Sequence, residues 1–141
     1  MVSDPLESRL GYLLKHVQAE LARTSAETLA PYGMDGHELA VLVVLAGAEP
    51  LSQIEVAGRL GVDRTTMVAL LDGLERRGLV ARRRSPQDRR RNIVELTGTG
   101  RERMAQAEEA RLAAERRFLA PLDDETAATL VRALRALLPV R

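Results

Sequence analysis

Residues 52–66 read Ser-Gln-Ile-Glu-Val-Ala-Gly-Arg-Leu-Gly-Val-Asp-Arg-Thr-Thr, and this stretch decides the fold. Ser52 and Glu55 have the three-residue spacing of a capping box, which predicts the start of a short helix. Gly61 suits a turn with a left-handed backbone, and Asp63 can cap a second helix. Two short helices joined by a glycine-containing turn are typical of a helix-turn-helix.

The spacing within this stretch supports the same interpretation. Ala57 is small enough to lie where two helices approach closely, and Met67 is placed to fill the core between them. The second helix is predicted from residue 64 to about residue 77, and Gly78 follows at the position where glycine ends helices. The other side chains expected in this core are apolar and recur at helical spacing: Val56, Leu60, Val62, Leu70, Leu71 and Leu74.

The exposed side of the second helix is predicted to contact DNA, because the N-terminal residues of such a helix enter the major groove. This side carries Arg64, Thr65, Thr66, Val68 and Ala69. Arginine can donate two hydrogen bonds to guanine O6 and N7, threonine hydroxyls reach bases or phosphates, and valine can touch a thymine methyl group. The alternative is a structural helical hairpin whose Arg64 is merely solvated.

A basic β-hairpin is predicted after Gly78. Residues 79–84 and 92–97 form short, partly alternating segments, and the residues between them are turn-rich and basic. An arginine of this loop can enter a narrow, A·T-rich minor groove, and Asp88 is expected to pair with a neighbouring arginine and fix the loop's shape. The full set of predicted DNA contacts is Ser52, Gln53, Arg64, Thr65, Thr66, Val68, Ala69, Arg84, Asp88, Arg89, Arg90 and Arg91.

A helix is also predicted on the N-terminal side of this module, over residues 6–30, where apolar residues recur at three- and four-residue spacing. Asp35 and Glu38 then form a second capping box before the apolar run 39–48. Periodicity alone would permit a strand there, but the cap and the length favour a buried helix.

Two more helices are predicted after the hairpin. Thr97 can cap one over residues 98–119, and the last begins near 123–125. The expected order is four helices, a hairpin and two helices, which is a mainly α fold with a small β-hairpin wing.

Charge is unevenly distributed along the 141 residues, whose formal net charge is +1. Residues 59–91 hold ten Arg against four Asp and Glu, a net +6 that leaves −5 for the rest of the chain. A basic segment between acidic ones predicts a local surface for a polyanion. From charge alone, a solvated face fits equally well.

Composition argues against several classes of function. Aromatic residues make up 2%, too few for a platform that stacks single-stranded bases. With no Cys and two His, thiol chemistry is excluded and a multi-histidine metal centre within one chain is disfavoured. The sequence offers no nucleophile–base or paired-carboxylate site, so we expect neither an enzyme nor a bound cofactor.

No targeting or membrane segment is predicted. Asp4, Glu7 and Arg9 do not fit a secretory signal. The longest apolar run has ten residues, about half of the ~20 that a membrane-spanning helix needs. We therefore expect a cytoplasmic, nucleoid-associated protein without membrane contact.

Three stretches resemble the MarR family of bacterial transcription regulators. They are residues 52–66, Leu-Leu-Asp-Gly-Leu-Glu-Arg-Arg-Gly-Leu-Val at 70–80, and Asp-Arg-Arg-Arg-Asn-Ile-Val-Glu-Leu-Thr-Gly-Thr-Gly at 88–100. The third is the most specific, because wings of the family read Asp-x-Arg before a strand that ends Leu-Thr-x-x-Gly. By position, Asp88 matches the wing aspartate and Arg90 the minor-groove arginine, and the resemblance covers nearly the whole chain.

The resemblance implies a homodimer in which the first and last helices of two chains interleave. It implies an N-terminal dimerisation helix at 1–34, a winged helix-turn-helix module at 35–97 and C-terminal dimerisation helices at 98–141. Apolar stripes on the terminal helices fit this arrangement, because such stripes need to be buried. A two-fold dimer predicts a repressor of a pseudo-palindromic operator with half-sites about one helical turn apart.

The resemblance also implies a small aromatic or anionic effector, bound between the dimer helices and the winged module. Peroxide sensing through cysteine is excluded by the absence of Cys, and urate recognition through tryptophan is disfavoured by the absence of Trp. The candidate ligand contacts are Tyr12, His16, Tyr32 and His37, although such residues more often serve in packing or at the surface. The alternative function is a winged-helix protein-interaction adaptor without sequence-specific DNA binding.

Overall fold

The computed structural model describes residues 4–47 and 49–140. Along these residues lie α1 (Leu10–Leu29), α2 (Gly36–Leu45), β1 (Leu51–Ser52), α3 (Gln53–Leu60), α4 (Arg64–Arg76), β2 (Val80–Arg84), β3 (Asn92–Leu96), α5 (Gly98–Phe118) and α6 (Asp124–Leu137). Short 3-10 helices precede and follow α1 at Pro5–Ser8 and Ala30–Tyr32. The predicted order of four helices, a hairpin and two helices is confirmed, and the fold is mainly α with a small sheet.

Two helix boundaries differ from the sequence-based expectation. The first helix begins at Leu10 rather than near residue 6, because Pro5–Ser8 form a separate 3-10 turn and Arg9 is extended. α2 ends at Leu45, short of the end of the apolar run 39–48 in which a helix was predicted. Residue 48 of that run lies outside the described residues.

The hairpin belongs to a three-stranded antiparallel sheet of order β1-β3-β2. The predicted hairpin is confirmed, and β2 pairs with β3 from Val80 opposite Leu96 to Arg84 opposite Asn92. β1 pairs Leu51 with Val94 and is not predictable from the pattern, because two residues are too few to show alternation. This short strand ties the start of the helix-turn-helix to the wing.

Side-chain caps begin the helices at the predicted residues. Asp35 and Ser52 each complete a capping box with the residue three positions later. Asp63 accepts a hydrogen bond from the Thr66 N–H at 2.7 Å and so begins α4. At the other ends of α3 and α4, Gly61 and Gly78 have the predicted left-handed backbone, with φ of 66° and 74°.

The hydrophobic core joins the helix-turn-helix to α2, the sheet and α5. Met67 and Val56 are fully buried between α3 and α4, and Ala57, Leu60 and Val62 pack partly buried against them. The remaining fully or almost fully buried side chains come from α4 itself and from the surrounding elements: Leu29, Leu39, Val41, Leu42, Leu71, Leu74, Leu79, Val80, Val94 and Ala107. The core therefore fixes where α4 and the wing lie.

α5 begins against the corner between α4 and β2. A Cβ on Gly100 would lie 1.9 Å from the carbonyl oxygen of Leu79, so glycine is required there. The Thr97 hydroxyl donates a hydrogen bond to the Gly78 carbonyl at 2.6 Å. These contacts attach the helix-turn-helix and its wing to the long C-terminal helix.

The terminal helices expose apolar side chains. α1 packs against α5, whereas α6 contains no buried residue and the side chain of Leu137 is 70% exposed. The large exposed apolar residues of these two helices are Leu10, Leu13, Leu14, Val17, Leu130, Val131, Leu134 and Leu137. An apolar surface of this extent marks an interaction site.

Candidate nucleic-acid interface

The N-terminal turn of α4 is presented to solvent. The hydrogen bonds from Thr66 lower the pKa of the Asp63 carboxyl, so this cap stays charged at neutral pH. Met67 points into the core and Val68 is half-buried. The other predicted contacts of this helix are exposed: Arg64, Thr65, Thr66 and Ala69.

A groove of about 600 Å³ runs between the starts of α3 and α4 and the wing. Arg64 lines it from α4, Gln53 from α3, and Arg90 and Arg91 from the wing. The floor includes small and apolar residues: Ala57, Gly58, Val62 and Met67. The structure thus brings the predicted major-groove and minor-groove contacts together at one surface.

Ser52 and Gln53 have different surroundings, although both were predicted to contact DNA. Ser52 is only 6% exposed, and its hydroxyl accepts a hydrogen bond from the Glu55 N–H at 3.2 Å. Its observed role is therefore that of a helix cap. Gln53 is half-buried, and its Oε1 is buried without a hydrogen-bond partner among the described residues.

Ile54 and Asn92 line the groove as well, although neither is among the predicted DNA contacts. Ile54 is 70% exposed at the start of α3, and Asn92 lines the groove from β3. The exposure of Ile54 could have been predicted from helical spacing, because Val56 and Leu60 form the core face of α3 and Ile54 does not lie on that face. Asn92 carries no such signal, since its position depends on how the loop before it folds.

Hydrogen bonds within the loop give the wing its shape. The Ser85 hydroxyl, in a buried residue, accepts from the backbone N–H groups of Gln87 and Asp88 at 3.2 and 3.3 Å. The Asp88 carboxylate accepts from the Arg90 N–H at 3.0 Å and lies 3.7 Å from the Arg91 Nε. The expectation that Asp88 pairs with a neighbouring arginine and shapes the loop is confirmed.

The arginines of this region fall into two groups. Arg82 binds Asp72 and Glu75, and Arg83 binds Glu95. By contrast, within residues 4–47 and 49–140 the structure gives no ion pair to four guanidinium groups: those of Arg64, Arg84, Arg89 and Arg90. These four were all predicted DNA contacts. Each can bind a phosphate without first breaking an ion pair within the described part of the protein.

A second groove, of about 430 Å³, lies between α1, the start of α2 and the helix-turn-helix. Its polar lining comes from Gln18, Ser25, Asp35 and His37. The rest is apolar or small and includes Leu21, Ala22, Ala26, Ala40, Leu60, Val62 and Leu70. Its size and lining are those of a site for a small, mostly apolar molecule.

The structure places one of the four predicted ligand contacts in this groove, namely His37. The Tyr12 and His16 rings lie against each other on α1, with centroids 4.1 Å apart. Tyr32 packs against the core, and its carbonyl accepts a hydrogen bond from Arg103 at 3.2 Å. The four residues do not form a single site within one chain.

The described residues contain neither a candidate metal centre nor a helix that could span a membrane. No group of three or more His, Asp and Glu side chains there is arranged to hold a metal ion. None of the helices described combines the length and apolar character needed to cross a membrane.

Comparison with known proteins agrees with this geometry. Residues 32–91 match the MarR family. The putative transcriptional regulatory protein for the hcr operon of Thauera aromatica is 32% identical over 97% of this chain and 83% of its own length.

Among solved structures, the transcriptional repressor CouR bound to a 23-mer DNA duplex is 33% identical, with a TM-score of 0.91 and coverage of 97% of both chains. CouR from Rhodococcus jostii RHA1 bound to p-coumaroyl-CoA is 30% identical, with a TM-score of 0.83 and coverage of 99% of this chain and 100% of that chain. The chain belongs to the MarR family of transcriptional regulators.

Proposed function

We propose that the protein is a homodimeric, sequence-specific, double-stranded DNA-binding transcriptional repressor. α4 lies in the major groove of a pseudo-palindromic operator, and the wing lies in the adjacent minor groove. The observation that carries this proposal is the set of guanidinium groups without ion pairs at the start of α4 and in the wing: Arg64, Arg84, Arg89 and Arg90. The structure of CouR bound to a 23-mer DNA duplex supports binding to double-stranded DNA.

Within this proposal, base reading and backbone contact belong to different residues. Arg64, Thr65 and Thr66 are exposed in the first turn of α4, the part of a recognition helix that reaches base edges. Arg90 lies in the loop that Asp88 shapes and is the arginine we assign to the minor groove. Arg84 and Arg89 are assigned to phosphates, which position the protein without reading sequence.

The dimer is proposed from the exposed apolar faces of α1 and α6. A single chain of 15.5 kDa leaves Leu130, Val131 and Leu134 at the surface of a helix with no buried residue. Burial against the same helices of a second copy removes these side chains from water. The proposed units are thus the dimerisation helices at 1–34 and 98–141, and the DNA-binding module at 35–97.

We also propose that a small aromatic effector binds the groove between α1 and α2 and releases the DNA. The groove is mostly apolar, and His37 offers a hydrogen-bonding group at its wall. The p-coumaroyl-CoA bound to CouR supports an aromatic ligand and makes that compound the first to test. Membership of a family of transcriptional regulators supports a non-catalytic role, and a DNA-binding role supports the cytoplasm as its location.

The experiment that tests the function is fluorescence anisotropy on the DNA upstream of the protein's own gene, against a scrambled duplex, across a salt series. We expect preference for the native site by ~10³ or more and a steep loss of affinity with salt. Equal, weak binding to both duplexes, followed by no enrichment from a random pool, would contradict the proposal and favour the protein-interaction adaptor. Release of the bound duplex by p-coumaroyl-CoA, lost in His37→Ala, tests the effector site.

A further inference from the structure

We infer that Arg82 is a positioning residue, which holds the wing against α4 so that Arg64 and Arg90 reach adjacent grooves of the same DNA site. The inference rests on the proposed function, because it assigns a way in which the two DNA-reading parts act together. Arg82 itself is assigned no contact with DNA.

Arg82 connects β2 to α4 through three hydrogen bonds. Its Nη2 atom donates to the Asp72 Oδ1 at 2.5 Å and to the Glu75 Oε1 at 3.0 Å. Its backbone N–H donates to the other Glu75 oxygen, Oε2, at 3.0 Å. Because the main chain and the side chain are both held, neither the strand nor the guanidinium can move alone.

This connection is the polar link between the wing and the recognition helix. Across the described parts of the chain, the hydrogen bonds found between either strand of the hairpin and α4 all involve Arg82. Val80 is buried at the base of the hairpin, two residues before Arg82. Beyond Arg82, β2 carries Arg83 and Arg84 away from the core, both exposed. Arg82 is therefore the outermost hydrogen-bonded attachment of the wing to α4.

The surroundings of Arg82 keep this connection charged. The Arg82 side chain is 20% exposed. The hydrogen bonds with Arg82 lower the pKa of the Glu75 carboxyl, and those with Glu75 and Asp72 raise the pKa of Arg82 against its partial burial. A single exposed ion pair contributes little to structure. The Asp72 and Glu75 side chains are 47% and 41% exposed, but Arg82 is joined to α4 at three points, one of them on the main chain.

Arg83 is an ion-paired arginine of the wing that does not connect the wing to α4. It follows Arg82 in the same strand but faces Glu95 of β3, with its Nη2 atom 2.8 Å from the Glu95 Oε1. That ion pair lies wholly within the hairpin and does not restrain the hairpin relative to α4. Arg83→Ala is therefore a matched control for Arg82→Ala, since both remove one ion-paired arginine from β2.

Positioning matters because the two contacts are made on one molecule of DNA. Once α4 is bound in the major groove, the wing binds the minor groove of the same DNA molecule. Its effective concentration there depends on how mobile the wing is relative to α4. A wing already held in place loses little conformational freedom on binding. Loosening it should therefore weaken the contribution of Arg90 while leaving that of Arg64 in place.

The test is a double-mutant cycle measured by anisotropy on the duplex that wild-type protein enriches most from a random pool. We expect Arg82→Ala to weaken binding about tenfold and to reduce the loss caused by Arg90→Ala to a small fraction of its wild-type value. Arg83→Ala should leave the loss caused by Arg90→Ala unchanged. Glu75→Gln, which keeps Arg82 and weakens its anchor, should reduce the Arg90→Ala loss in the same direction.

Additive effects of Arg82→Ala and Arg90→Ala would overturn the inference, because independent losses mean that Arg82 does not act through the wing. If Arg82→Ala does not fold, as judged by circular dichroism, the Glu75→Gln cycle decides the question by the same criterion. Wild-type protein that enriches no duplex contradicts the proposed function, and the inference with it. If the wild-type protein enriches a duplex but the effects of Arg82→Ala and Arg90→Ala are additive, the inference is contradicted and the proposed function is not.

Discussion

At the scale of single residues, the arginines near the proposed DNA surface differ in whether an ion pair must break before they bind DNA. Arg83 would have to leave the Glu95 carboxylate before it met a phosphate, whereas Arg64, Arg84, Arg89 and Arg90 have no such partner to lose among the described residues. Arginine provides a planar fork that suits both guanine edges and phosphates. Sequence alone cannot separate these groups, because an ion pair depends on which carboxylates the tertiary structure brings close to each guanidinium group.

Arg64→Ala should weaken binding to the preferred duplex by about 1–3 kcal/mol and relax the choice of base at one position. The reason is that Arg64 is the exposed cation in the first turn of α4, where it can donate two hydrogen bonds to guanine. Anisotropy on the preferred duplex and on its three single-base variants at each position measures both effects. Arg76→Ala, at the opposite end of α4, is the control with the same loss of charge. An equal loss on matched and scrambled duplexes would show that Arg64 contacts only phosphate.

Gly100→Ala should destabilise the fold by about 1–3 kcal/mol or more, since the new methyl group overpacks the core. Its Cβ would lie 1.9 Å from the Leu79 carbonyl oxygen, an atom of the main chain that cannot rotate away. Gly98→Ala is the control in the same helix, because nothing lies within 4 Å of its Cβ. Thermal unfolding followed by circular dichroism compares the two. Equal Tm values for both variants would mean that the main chain at Leu79 shifts to accommodate the new methyl group at little cost in stability.

At the scale of the element, the cap of α4 links stability to pH. The Thr66 hydrogen bonds lower the pKa of Asp63 in the folded protein below its ordinary 3.8. The charged cap therefore contributes its full stabilisation above the unfolded-state pKa and loses it as the pH falls through the lower folded-state pKa. Removing the carboxylate should make stability less sensitive to acid.

Asp63→Ala should lower the Tm by a few degrees at neutral pH, since the first turn of α4 loses its cap. Asp63→Asn should keep most of the neutral-pH Tm, because asparagine also caps helices, but the fall of Tm in acid should become shallower. Circular dichroism melts from pH 7 to pH 3 measure this. Glu55, Glu75 and Asp123 also have lowered pKa values, so the wild-type protein loses stability in acid as well. A wild-type-like acid slope in Asp63→Asn would contradict the prediction.

The elements also show what can be predicted from the sequence and why. Asp35, Ser52, Asp63 and Thr97 act locally, so the starts of α2 to α5 follow from the residues that cap them. The pairing of β1 with β3 joins residues about forty positions apart, and no local pattern encodes such a contact. The same limit applies to the candidate site. Exposure of the first turn of α4 follows from helical spacing, whereas the grooves and the ion pairs of Arg82 and Arg83 require the tertiary structure.

At the scale of the whole molecule, one chain does not bury its own terminal helices. α6 has no buried residue, and α1 carries a second set of exposed apolar side chains. The DNA-binding module is attached to these helices through Gly100 and Thr97 at the start of α5. A dimer formed by the terminal helices would therefore also set the separation of the two α4 helices, and with it the spacing of the operator half-sites.

Leu134→Glu should disrupt the dimer, because it places a charge in the middle of the proposed interface, where an unpaired carboxylate is costly to bury. Light scattering should give twice the 15.5 kDa of one chain for the wild type and a mass near one chain for the variant. Ala136→Glu adds the same charge on the opposite side of α6 and should leave the dimer intact. Since a dimer of this kind often has no stable separate monomer, the Tm of Leu134→Glu should also fall, and the Tm of the wild type should rise with protein concentration. An unchanged mass for Leu134→Glu would mean that the two copies associate through another face, and the predicted half-site spacing would then no longer follow from α1 and α6.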